Sequence, residues 1–149
     1  MHPSLLTQSR VNDLLAQACQ NKEHDQQLMP IVFLANGTTD LKILPLPDLA
    51  ADALERRAQF YALGRKFADT TEAVFICESW IAPHQGVAPS EHPGREEAIV
   101  LVGRNRDNTN SVFAKQVFTT DGKRISWQAP DITIKPGIAE GIVDLIFAP

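Results

Sequence analysis

Seven residues in one stretch of this chain carry side chains that could do chemistry together: Glu78, Trp80, His84, His92, Arg95, Glu96 and Glu97. Glu78 interrupts the apolar run VFICESWI, and a carboxylate among side chains that expect burial must be paired, protonated or bound to a metal. Two chemistries compete for it. In the first, Glu78 pairs with Arg95 across a long loop, an arginine fork matching a carboxylate without further assumptions. In the second, Glu78, His84 and His92, with Glu96 or Glu97, form a His/carboxylate metal site, a ligand set that suits zinc, iron or manganese. The spacing favours the first, because His84 and His92 stand eight apart on a proline-containing loop and no His-Glu-x-x-His is present.

Other reaction classes have less to stand on. Ser79 and Ser90 lack a Gly-x-Ser-x-Gly context. Cys77 falls in mid-strand, and Cys19 and Cys77 make no Cys-x-x-Cys pair, so both are expected as reduced, buried thiols. The glycines make no phosphate-cradling run, and no cofactor is implied. Net charge is −4, against the cationic excess that a duplex-binding face needs. Arg104, Arg106, Lys115, Lys123 and Arg124 remain as a weak basic patch, read here as a guarded sheet edge in preference to a nucleic-acid surface. No run approaches the ~20 apolar residues of a membrane helix, and the expected location is the cytoplasm.

The elements that must position the seven residues follow from periodicity. With 149 residues, 44% hydrophobic and 21% charged, the chain has the size and composition of one globular domain over 1–149. The runs at 73–81 and 96–104 are rich in β-branched and aromatic residues and flank the loop as two central strands. Strands at 111–119 and 123–128, the latter after Asp121-Gly122, extend them into an antiparallel meander, with DITIK as an edge piece between Pro130 and Pro136. Upstream, Ser4 is expected to cap a helix ending near Gln20, followed by a polar link, NKEHDQQLMP. Asn36-Gly37 marks a hairpin joining 31–35 to 41–45. A helix from Asp48 to Asp69 is expected to be the longest, burying Phe60 and Phe67, with Gly64 allowing close approach to the sheet beneath. The tail, with Ile138, Ile142, Leu145 and Ile146 at helical spacing, is expected to close an edge as a helix.

One resemblance is visible. Glu78-Ser79-Trp80, followed by Pro89-Ser90-Glu91-His92-Pro93-Gly94-Arg95-Glu96-Glu97-Ala98, resembles a group of small, uncharacterised bacterial and phage-associated proteins. These carry a Glu-x-Trp strand and then a Pro-Ser-x-x-Pro-x-Arg-x-Glu segment. Gly94 stands where that pattern has an acidic residue. The resemblance covers about a third of the chain, implies a compact α+β domain and assigns no catalytic residue. The fold expected is therefore α+β: a mainly antiparallel sheet of five or six strands, with the second helix on one face and the first beside it. The function expected is a non-catalytic interaction or structural module of mobile-element origin, binding a protein partner or a second copy of itself. A small metal-dependent enzyme is the alternative.

Overall fold

The computed structural model describes residues 4–37, 40–81, 96–137 and 141–149. Its elements run α1 (Gln8–Asp25), β1 (Ile31–Ala35), β2 (Leu41–Pro45), α2 (Ala53–Lys66), β3 (Glu72–Ile81), β4 (Glu96–Asn105), β5 (Ser111–Asp121), β6 (Arg124–Trp127), β7 (Asp131–Lys135) and a C-terminal 3₁₀ helix (Ile142–Phe147). The strands form one seven-stranded antiparallel sheet in the order β2-β1-β3-β4-β5, and β6 and β7 share the far side of β5. Ser111–Lys115 pairs with β7, and Phe118–Asp121 with β6. The α+β class and the meander expected from the strand patterns are present.

The sheet is covered on both faces, which explains why the middle of β3 reads as an unbroken apolar run. Val74 and Ile76 face α1, together with Ile99, Leu101, Val112 and Ala114, against the helical stripe of Val11, Leu15 and Ala18. Ala73 and Phe75 face the other way, toward Phe60 of α2 and Val143 and Ile146 of the 3₁₀ helix. The two helices therefore sit on opposite faces, not side by side as expected. The tail packs on α2 over the second face and does not close an edge. Its buried residues, Val143 and Ile146, are three apart, the eclipsed spacing of a 3₁₀ turn. Ile138 lies outside the described residues.

Both helices begin later than expected. Thr7, not Ser4, caps α1, its Oγ1 accepting from the Arg10 amide at 3.2 Å. Ser4 instead donates its hydroxyl to Glu72, whose other carboxylate oxygen accepts from the Leu5 amide, so the segment before α1 is tied to the start of β3. Asp52 caps α2. The stretch from Asp48 folds back on the helix, where Gln59 accepts from the Ala50 amide and donates to the Asp48 carbonyl, both at 2.9 Å. With 14 residues, α2 is shorter than α1, which has 18. The supposed polar link supplies the difference: α1 runs on through Asp25 and stops at Gln26, which takes φ 63°. Phe67 is the C-terminal cap of α2 and only partly buried, so Phe60 alone fills the core from this helix. In the β1–β2 connection the positive φ falls on Gly37 and not on Asn36. Five residues separate the strands, which makes the loop longer than a type I′ turn.

Candidate functional site

Of the seven candidate residues, His84, His92 and Arg95 lie outside the described residues, with the rest of the 83–95 loop. The register places the other four. Glu78 is opposite Ile99, Trp80 opposite Glu97, and Ile81 opposite Glu96. Glu97 in turn is opposite Phe118. Strand alternation sends Glu78, Trp80, Glu97 and Phe118 to the α1 face, where they line a shallow cavity of about 190 Å³ with the backbone of Ser79 between them. Glu96 belongs to the opposite face and is exposed. The structure thus gathers three of the expected residues and separates the fourth.

Glu78 does not sit where the apolar run suggested. Burial in β3 stops at Ile76, Cys77 is half-buried, and Glu78, Ser79 and Trp80 extend past the cover of the helices. The carboxylate has partners none of which was named from sequence. Lys22 Nζ lies 2.9 Å from Glu78 Oε1, and the Leu28 amide donates to the same oxygen at 2.8 Å. Lys22 also donates to the Gln26 carbonyl at 2.9 Å and stands 5.2 Å from the Phe118 ring centroid. Its side chain is 11% exposed, against 33% for Glu78. Val11, Leu15, Ala18 and Lys22 form one stripe down α1, so the signal for this lysine was the next position of the apolar periodicity, one turn beyond the expected helix end. Two further hydrogen bonds reinforce the attachment: the Trp127 indole N–H donates to Glu23 Oε1 at 2.6 Å, and the Cys19 thiol to Gln116 Oε1 at 3.3 Å.

This arrangement can fasten the last turns of α1 to β3, β5 and β6. Among the described residues Ser79 is no nucleophile for the carboxylates: it alternates to the other face, and its hydroxyl donates to the Trp80 carbonyl. Among the described residues there is no group of three or more His, Cys, Asp or Glu side chains that could hold a metal. We expect Glu78→Leu to cost about 1–2 kcal/mol in a denaturant titration, because it strands the nearly buried Lys22 ammonium; solvent access to Glu78 keeps the loss below the 3–5 kcal/mol of a fully buried pair. Lys22→Met should cost less, since the carboxylate left behind reaches water. Equal losses from both variants would mean that the asymmetry of burial does not control the pair.

The cysteines are free thiols, both half-buried where full burial was expected. They cannot bridge, because Cys19 lies on the α1 face while Cys77 alternates to the α2 face beside Arg56. Burial pushes both thiols up to about 11, with Glu23 adding to the rise at Cys19, and Glu78 adding to it at Cys77 against the lowering effect of Arg56. A raised value means less thiolate at a given pH. At pH 8 a group near 11 is about 0.1% ionised, and because the thiolate that does form is the better nucleophile, a thiol-disulfide reagent should modify the native protein roughly tenfold more slowly than the unfolded chain. Native and denatured rates within threefold of each other would contradict it.

The basic patch is dispersed. Arg104 pairs with Asp144 at 2.9 Å and stacks on Phe147 at 4.9 Å, and Arg106 donates to the carbonyls of Thr70 and Ala68. Lys123 and Arg124 turn the β5–β6 hairpin at the opposite end of β5, about 33 Å away at 3.3 Å per residue. No described helix is long and apolar enough to cross a membrane. Comparison with known protein families, with curated proteins and with solved structures finds no match to this chain.

Proposed function

We propose that the protein is a non-catalytic interaction module that engages a protein partner through the open sheet edge at β2. The observation that carries this reading is the backbone of that strand. The Leu46 amide donates to the Pro30 carbonyl at 2.8 Å, so by antiparallel alternation Val32–Leu44 and Leu34–Lys42 are the hydrogen-bonded pairs. The N–H and C=O groups of Leu41 and Ile43 then point away from the sheet. The Ile43 side chain is 53% exposed, and Met29 on the same face is 49% exposed. Among the described residues nothing pairs with these peptide groups, and, flanked by apolar side chains, they are a template for strand addition.

The far edge of the sheet is better guarded. It is split between two short strands, β6 and β7, carries Arg124, Asp131 and Lys135, and is bounded by Pro130 and Pro136. In β2 the only charge is Lys42. The half-buried free thiols support a reducing, cytoplasmic setting for the module. A photo-crosslinking residue at position 43 should yield one discrete adduct in the native cells, while the same residue at Asp13, on the exposed side of α1, should not. An absence of any discrete adduct from position 43 would defeat the reading.

A further inference from the structure

The surroundings of β2 are specific enough to describe what adds to it. Side chains of Leu41, Ile43 and Pro45 point to the α1 face, since they oppose Ala35, Phe33 and Ile31. There Pro45 borders a small, mainly apolar cleft of about 140 Å³ walled by Leu28, Met29, Ile31 and Phe33, with Asp25 at its α1 side. Lys42 and Leu44 point to the α2 face, opposing Leu34 and Val32. On that side a larger crevice of about 370 Å³ opens between the β2–α2 connection and the helix, lined by Leu46, Leu49, Phe60 and Leu63, with Asp48 and Lys66 also on its wall. An incoming strand would send alternate side chains to these two faces.

Charge selects the occupant. Lys42 Nζ lies 5.6 Å and Lys66 Nζ 5.4 Å from the centroid of the same ring, Phe67. Two ammonium groups thus share one aromatic ring, and among the described residues neither has a carboxylate within ion-pair distance. An anion beside Lys42 gains a charge-assisted contact, and Lys66, on the same ring, adds to the positive potential there. A second copy of the chain does the reverse. Antiparallel self-pairing about Ile43 sets Leu44 opposite Lys42 and gathers Lys42 and Lys66 of both copies on one face.

Building on the interaction-module reading, we infer that the β2 edge receives an extended, acidic-apolar strand of a partner protein, one carboxylate of which lies against Lys42. Opposite Leu41, Ile43 and Pro45 that strand carries apolar residues; opposite Lys42 it carries Glu or Asp; opposite Leu44 it carries an apolar residue directed at the crevice. Antiparallel to β2, this reads apolar-apolar-apolar-acidic-apolar.

The test titrates two blocked peptides, Ser-Val-Val-Val-Glu-Val-Ser and its lysine counterpart, into the ¹⁵N-labelled full chain. The glutamate peptide should shift the amides of residues 41–44 with those of Met29 and Phe33, and bind at least tenfold more tightly than the lysine peptide. Ile43→Pro, which removes an outward N–H without touching the ladder to β1, should abolish binding and leave the thermal midpoint within about 2 °C. Lys42→Glu should invert the preference between the peptides. Binding that ignores the charge of the peptide, or that survives Ile43→Pro, overturns the inference, as does failure of the wild type to bind either peptide. A concentration-dependent dimer in light scattering that Ile43→Pro dissolves also overturns it, by giving the edge to a second copy; the interaction-module reading then stands, because that reading falls only with the crosslink at position 43.

Discussion

Phe60→Ala should lower stability by about 3–5 kcal/mol, the cost of emptying an aromatic site that cannot collapse. Phe60 is fully buried and meets Phe75 edge-to-face, with ring centroids 4.9 Å apart and planes at 77°. Around them stand Val32 and Leu34 of β1 and Val143 and Ile146 of the 3₁₀ helix, two separate parts of the chain, so no single element can move inward to fill the void. Phe67→Ala should cost far less, about 1 kcal/mol, because that ring is only partly buried and its outer side is occupied by lysine stems. Denaturant titrations of the two variants compare them directly. A loss below about 1 kcal/mol for Phe60→Ala would place α2 elsewhere than over β1 and β3.

Gly64→Ala is expected to destabilise although alanine is the better helix former by about 1 kcal/mol. A Cβ at this position would come 2.0 Å from the Ile146 carbonyl oxygen and 2.6 Å from its carbon. Both are backbone atoms of the 3₁₀ helix, so no side chain can swing aside, and relief requires α2 and the tail to separate. Overpacking of this kind costs about 1–3 kcal/mol, which exceeds the propensity gain. The thermal midpoint should fall by several degrees, at roughly 2–4 °C per kcal/mol for a chain of this size. A rise in the midpoint would mean that the tail does not press on the helix.

Much of the sheet was legible because its signals are local. The expected strands at 73–81, 96–104, 111–119 and 123–128 match β3 to β6 within one or two residues, since β-branched runs and the Asp121-Gly122 pair define them without reference to the rest of the chain. What periodicity could not convey was which face each helix would take. Val11, Leu15 and Ala18 announce an apolar stripe, but whether it meets Val74 and Ile76 or Ala73 and Phe75 depends on how the chain crosses the sheet. Gly64 was correctly read as a close approach, yet its neighbour is the tail at Ile146, 82 positions onward, and not the sheet. At the candidate site, Glu78 was recognised as a residue in need of a partner. Its partner Lys22 went unrecognised because its segment, NKEHD, is polar enough to resemble a linker, and the helix continues through it only because Lys22 keeps to the buried stripe.

The placement of α1 governs the order in which this protein can be made. The apolar stripe of the helix lies at residues 11 to 18, but the surface it covers includes Ile99, Leu101, Val112, Ala114 and Phe118. On a ribosome adding roughly 5–20 residues per second, the helix waits about 5–20 s for that surface to emerge, its Val, Leu and Ala side chains unprotected meanwhile. The β3-to-β6 meander joins strands adjacent in sequence, so it can assemble as soon as it clears the exit tunnel. The helix α1 is thus made well before the surface that it covers, and it is among the last of these elements to dock.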